Sequence, residues 1–242
     1  MRIIYIMPGT VSKGGHGAAE LERRRGILQG WASPGTEVAV VDLDSGPVSI
    51  ESMAEEYLAV PGVLRRVQEA EREGFSAAIV GCYGDPGVDA CREIATIPIL
   101  GPGECSMLTA ASLCHRFSIV TVLESIVRPL ERLAHHVGVG SKLASVLDAG
   151  VPVLELARDP DLSYRKVLEA GRKALSRDGA DTLVLGCMSM AFLGVSDRLE
   201  AELGVPVVNA AMVSLKFAEM LVQAGLTHSK VAYPAPPKPL PL

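Results

Sequence analysis

The segment Gly74-Phe-Ser-Ala-Ala-Ile-Val-Gly-Cys82 recurs later in the same chain, without a gap, as Gly179-Ala-Asp-Thr-Leu-Val-Leu-Gly-Cys187. Downstream of each copy comes an apolar stretch with proline second, Ile97-Pro98-Ile99-Leu100 and then Val205-Pro206-Val207-Val208. Each half therefore reads as strand, Gly-Cys, helix, X-Pro strand, and a chain that repeats itself in this way folds as two similar units. The repeat places a first lobe at residues 1–101 and a second at 102–208. A C-terminal helix in 210–230 (Ala210–Ala224) folds back to complete the first lobe. Residues 231–242 carry five prolines from Tyr233 on and read as an extended tail.

The intervening pattern gives the fold class. Short apolar runs at Ile3–Met7, Glu37–Val41, Ala77–Val80, Ile97–Leu100, Ser118–Val122, Val151–Leu154, Thr182–Leu185 and Val205–Val208 alternate with helical stretches. Such runs are strands covered on both faces, which is how parallel sheets are built. Pro61–Glu73 and Tyr164–Arg177 have the apolar spacing of crossover helices. The expected fold is α/β, two pseudosymmetric lobes, each a mainly parallel sheet flanked by helices.

Composition narrows the function classes. Lys+Arg 23 against Asp+Glu 28 leave a formal charge of −5, with no basic excess to meet phosphates, and aromatic residues at 4% are too few to stack on single strands. Nucleic acid is not an expected partner. The N-terminal apolar run ends at Pro8-Gly9, too short for a signal peptide or a membrane anchor. Cys82, Cys91, Cys105, Cys114 and Cys187 form no CxxC pair, and their odd number argues against a disulfide framework and for free thiols in a reducing cytosol.

Two of those thiols stand apart. Cys82 and Cys187 each follow a buried strand, at the edge where α/β sheets bind ligands, and each precedes a helix whose first amides favour a thiolate. Asp85 is expected to cap the first of those helices and Pro86 to enter its first turn. A single cysteine at a strand end ordinarily packs as a small apolar side chain. Matched cysteines in two related lobes face each other across a cleft when the lobes are related by a pseudo-twofold axis. Such a pair removes a proton from one face of a carbon acid and returns one to the other. Cys91, Cys105 and Cys114 lack that context and read as helix faces packed into the core.

The segments Gly81-Cys82-Tyr83-Gly84-Asp85-Pro86-Gly87, Gly46-Pro47-Val48-Ser49-Ile50-Glu51-Ser52, His115-Arg116-Phe117-Ser118-Ile119-Val120-Thr121 and Leu185-Gly186-Cys187-Met188 resemble the aspartate/glutamate racemase superfamily, most closely its hydantoin racemase branch, which includes allantoin racemases. The resemblance implies a cofactor-independent two-base racemase, with Cys82 abstracting from the D form and Cys187 from the L form. It implies that the amides of Tyr83, Gly84, Met188 and Ser189 hold substrate oxygens, that Thr121 and Thr10 contact ligand, and that Ile50 lines the pocket for the substrate's side chain. The expected partner is a small molecule, with no metal, cofactor or membrane; a homo-oligomer in the cytoplasm is expected.

Two departures bear on the substrate. Where much of the branch has Asn-Pro-Asn after the first strand, this chain has Met7-Pro8-Gly9 before Thr10, and Met188 replaces a polar residue of the amino-acid racemases. A cyclic or amide-like substrate is favoured over free glutamate or aspartate. The rival readings are another activity of the superfamily (amino-acid racemase, maleate isomerase-like or arylmalonate decarboxylase-like) and a non-catalytic ligand-binding member. His16, in a glycine-rich loop, reads as a solvated side chain or a lid residue. The adjacent His135 and His136, following a helix, point to different faces and do not suggest a metal site.

Overall fold

The computed structural model describes residues 1–13 and 17–240, so the reading of His16 lies outside the described residues. The chain divides into two compact units: Met1–Ile50, Ala54–Pro102 and Ser214–Leu242 form the first, and Glu51–Met53 with Gly103–Val213 the second.

In the first unit, β1 (Arg2–Ile6) is followed by α1 (Gly17–Trp31), β2 (Glu37–Val41), α2 (Met53–Arg72), β3 (Ala77–Val80), α3 (Val88–Ile94) and β4 (Ile99–Leu100). The strands form one parallel sheet in the order β2-β1-β3-β4, with Ile6 opposite both Val41 and Val80. Every residue of β3 is buried, as a strand covered on both faces requires. Ala59, Val63, Val67 and Ala70 of α2 lie one turn apart and pack on Ile4, Ile6, Ala78 and Val80. Burying four such side chains contributes on the order of 1 kcal/mol or more each.

The second unit repeats the plan. After α4 (Pro102–Leu113) come β5 (Phe117–Thr121), α5 (Val127–His136), β6 (Leu143–Asp148), α6 (Pro160–Ser176), β7 (Thr182–Leu185), the single turn α7 (Met188–Ala191), α8 (Ser196–Leu203) and β8 (Val207–Val208); α9 (Ala210–Gln223) then starts in the second unit and from Ser214 on belongs to the first. The sheet is again parallel, in the order β6-β5-β7-β8. Even irregular hydrogen bonds recur at matched places. Gly81 N donates to Ile6 O at 2.7 Å and Gly186 N to Val120 O at 2.8 Å; Ala78 N donates to Pro98 O at 3.0 Å and Leu183 N to Pro206 O at 2.9 Å.

The structure corrects several expectations. Val151–Leu154 is not a strand: Gly150 turns the chain at φ +66°, Pro152 has no N–H for a ladder, and Val153–Glu155 closes a 3-10 turn. The strand is Leu143–Asp148, mostly half-buried at the sheet edge. The X-Pro strands shrink to Ile99–Leu100 and Val207–Val208. α2 begins at Met53 and carries Pro61 inside it, on the exposed side with Tyr57, where a carbonyl left without its intrahelical partner meets water. α6 begins at Pro160, because Asp159 caps it by accepting from Leu162 N at 2.9 Å and proline suits the first helical position. His135 and His136 lie within the last turn of α5, not beyond it.

One ion cluster in α1 ties stability to pH. Burial opposes ionisation of Glu20, but hydrogen bonds from Arg23 and Arg24 outweigh it and hold the carboxyl at about 2. A folded value below the unfolded one stabilises the fold above pH 4.5, and that contribution fades as pH falls toward 2. Glu20→Gln is expected to lower the unfolding free energy at pH 7 by about 2 kcal/mol, with the difference from wild type closing near the acid end. Urea unfolding at pH 7 and at about pH 2.5 checks it; an equal deficit at both would show that the charge is not the cause.

Candidate active site

In a parallel sheet of order 2-1-3-4 the chain leaves β1 toward one side and returns from β2 to the other, so a crevice opens beyond the carboxyl ends of β1 and β3. Cys82 follows β3 at that point of the first sheet, and Cys187 follows β7 at the same point of the second. Cys82 is half-buried, whereas Cys187 is 8% exposed and belongs to the apolar cluster with Leu185 and Met190. The sequence repeat is thus a structural repeat within each unit.

Each Gly-Cys pair is fixed from beneath. A Cβ at Gly81 would overlap the ring of Tyr5, whose hydroxyl donates to Gly81 O at 3.3 Å. A Cβ at Gly186 would overlap Ile119 and press on Val120 O at 3.2 Å, and the hydroxyl of Thr121 donates to Gly186 O at 3.1 Å. Only glycine lets the strand end lie flush on its neighbour. Thr121, fully buried, therefore holds the carbonyl just before Cys187. Tyr5 does the same for Cys82 and was not legible in the sequence, where it reads as one more apolar strand residue.

The helix expected directly after Cys82 is displaced. Asp85 sits at φ +54° and Gly87 at +72°, so the chain turns twice before α3 begins at Val88, and Gly87, with no side-chain cap, stands where Asp85 was expected. Cys82 lies in a turn closed by Asp85 N donating to Cys82 O at 3.2 Å. The Asp85 carboxyl lies instead over Gly101, where a Cβ would overlap it. Cys187 is the N-cap residue of α7, which is only four residues long, so its dipole is small. The amides available near both thiols are those of turns rather than of long helices.

The other predicted positions fall within their own units. Tyr83 is buried and Gly84 half-buried in the Cys82 turn; Met188 is buried and Ser189 half-buried in α7. Thr10 follows β1 and is 7% exposed. Its N–H donates to Pro47 O at 2.8 Å, and its hydroxyl lies 3.4 Å from both Gly46 O and Pro47 O. Thr10 so clamps the loop that leads to Ile50, which is half-buried against the core of the first unit. A Cβ at Gly9 would stand 2.9 Å from Pro47 O, so the backbone there lies close against the same loop.

The remaining thiols behave differently. Burial in α3 pushes Cys91 up to about 12, leaving it protonated at neutral pH. Cys105 is buried within α4. Cys114 lies just past α4 rather than on its face, and burial, then the Asp181 carboxylate beside it, raises its pKa. Among the described residues no group of three His, Cys, Asp or Glu side chains could hold a metal ion, and no helix is long and apolar enough to cross a membrane.

The model of the family described as Asp/Glu/Hydantoin racemase matches residues 20–218. The chain belongs to that family. This racemase is 36% identical over 234 residues to a hydantoin racemase of Pseudomonas sp. (strain NS671), a match covering 96% of this chain and 90% of the relative. Its fold is similar to the allantoin racemase from Klebsiella pneumoniae, with a TM-score of 0.90 at 34% identity over 99% of this chain and 95% of that one. It is similar also to allantoin racemase from Pseudomonas fluorescens, with a TM-score of 0.92 at 31% identity and full coverage of both chains. The racemase is accordingly an isomerase, and its two parallel four-stranded sheets flanked by helices are the Asp/Glu racemase-like α/β fold.

Proposed function

We propose that this racemase inverts the C5 centre of a 5-substituted hydantoin or a related ureide without a cofactor, using Cys82 and Cys187 as its two bases. The observation that carries the reading is the repeated Gly-Cys turn, set at the same switch point of each sheet by the same strand-end hydrogen bond. The relatives named hydantoin racemase and allantoin racemase support the substrate class.

In one direction the Cys82 thiolate takes the C5 proton of the D form. The C–H electron pair moves into the ring, and charge gathers on the adjacent carbonyl oxygen as an enolate. The Cys187 thiol then delivers its proton to the opposite face of C5, giving the L form. The two thiols have exchanged protonation states, and the enzyme is set for the reverse direction. The amides of Tyr83 and Gly84, and of Met188 and Ser189, are the donors assigned to the developing oxyanion, where preorganised donors lower the barrier most. Ile50 lines the pocket for the substituent, while the buried Thr10 and Thr121 hold the loop before Ile50 and the carbonyl before Cys187 in place.

Incubating one enantiomer with the pure enzyme in deuterated water tests the reading. Optical rotation is expected to decay to zero without added cofactor, and the newly formed enantiomer to carry deuterium at C5 from its first appearance. Loss of rotation without deuterium uptake, or no change with any hydantoin or ureide, would overturn it.

A further inference from the structure

Three glycines at every third position, Gly81, Gly84 and Gly87, frame the Cys82 turn, and a Cβ at each would meet a different neighbour. At Gly81 it is the Tyr5 ring, at Gly84 the carboxyl group of Glu56, and at Gly87 the Val60 side chain at 2.9 Å. Glu56 and Val60 are one helical turn apart in α2, so the loop after β3 lies flush on β1 and on one stripe of that helix. Of these contacts only Glu56 is an acid that water would hold ionised at neutral pH. It is 8% exposed, and an acid withdrawn so far from water persists only where polar groups meet its oxygens. An apolar side chain would fill the same space without that cost.

The two halves of the repeat differ at this point. Among the described residues the buried charged side chains are Arg24, Asp42, Glu56, Arg92 and Glu219, all in the first unit. At the position that matches Gly84 the second copy has Ser189, half-buried in α7, and no glycine.

We propose that Glu56 is a positioning residue for racemisation: its carboxyl group, seated on the backbone of Gly84, fixes the turn that aims Cys82 and the amides of Tyr83 and Gly84. This rests on the catalytic reading of Cys82 given above. Glu56 acts through the turn it supports, so its loss reduces turnover rather than affinity.

The test combines racemisation kinetics with alkylation of each cysteine by iodoacetamide, read by peptide mass spectrometry, with Cys187 as the internal control. Glu56→Ala is expected to lower kcat by roughly 10- to 100-fold, the scale of a misplaced reacting group, with KM within about threefold. The alkylation rate of Cys82 should change by at least about threefold and that of Cys187 should not. Glu56→Gln, which keeps the shape and one acceptor oxygen, is expected to retain about a third or more of kcat. Gly84→Ala is expected to be harmful in the wild-type background and nearly neutral beside Glu56→Ala, where the collision is gone. If Glu56→Ala does not fold, Glu56→Asp, one methylene shorter, takes its place. Wild-type kcat in that variant, equal changes at both cysteines, a Glu56→Gln as poor as Glu56→Ala, or a Gly84→Ala equally harmful in both backgrounds would each overturn the inference. Alkylation needs no substrate, so a wild-type enzyme that racemises no hydantoin would overturn the proposed reaction while the Cys82 and Cys187 rates still decide the role of Glu56.

Discussion

Cys82→Ser and Cys187→Ser are each expected to reduce racemisation by about a thousandfold or more, with little change in the thermal midpoint. The magnitude follows from acidity: a thiol ionises near pH 8.5, whereas a serine hydroxyl is essentially never an alkoxide at neutral pH. Serine is close to cysteine in size, so packing is nearly preserved at half-buried Cys82. At Cys187, 8% exposed among apolar side chains, the hydroxyl needs a partner, and about 1 kcal/mol of stability is expected to be lost. The two-base reading makes a further demand. Each variant keeps one thiol, so one enantiomer should still exchange its C5 proton for deuterium slowly while optical rotation stands still, and the preferred enantiomer should differ between the two variants. Measuring exchange by mass spectrometry beside polarimetry separates the cases. Full racemisation in either variant, or loss of exchange of the same enantiomer in both, would show that the thiols do not divide the work.

The bounds of Ala77–Val80 and Thr182–Leu185 were readable from the sequence because the inner strands of a parallel sheet are nearly continuous apolar runs, and those of Glu37–Val41, an edge strand, because Val38–Val41 happens to be apolar throughout. Leu143–Asp148 was not, because a half-buried edge strand need not be apolar along its length. The apolar Val151–Leu154 took its place in the reading although Gly150 and Pro152 forbid it, an instance of local backbone chemistry overriding an apolar count. The cysteine pair was legible for a different reason. A repeat preserves position relative to a strand end, and position relative to a strand end is what fixes a residue at the crevice. Capping by Asp85 was a fair inference from Asp-Pro but failed because Asp85 adopts a left-handed conformation that delays α3. Tyr5 and Glu56 could not be read at all. Tyr5 looks like a strand core residue, and Glu55-Glu56 look like solvated acids in the first turn of a helix. Their roles come from contacts with residues far along the chain, and the one sequence trace of those contacts is the spacing of Gly81, Gly84 and Gly87.

That trace leads to the second large effect. Gly81→Ala is expected to destabilise the fold by about 3 kcal/mol or more, in the range of severe overpacking. The added methyl would fall on Cε1, Cζ and Oη of Tyr5. A flexible side chain would swing aside, but the ring is fully buried and its strand is held on both sides, by β2 and by β3. Retreat of the Gly81 backbone instead would stretch its 2.7 Å hydrogen bond to Ile6 O and carry Cys82 with it. Stability and catalysis should therefore fall together. Tyr5→Leu removes the colliding atoms at the cost of a cavity, so on its own it too is destabilising, by about 2 to 4 kcal/mol. In combination the methyl enters space the ring has vacated, and the double variant is expected to be more stable than the sum of the two losses allows, by at least about 1.5 kcal/mol. Denaturant unfolding of the four proteins measures that coupling. Strictly additive losses, or a Gly81→Ala protein with the wild-type midpoint, would mean that Tyr5 does not support the Gly-Cys turn.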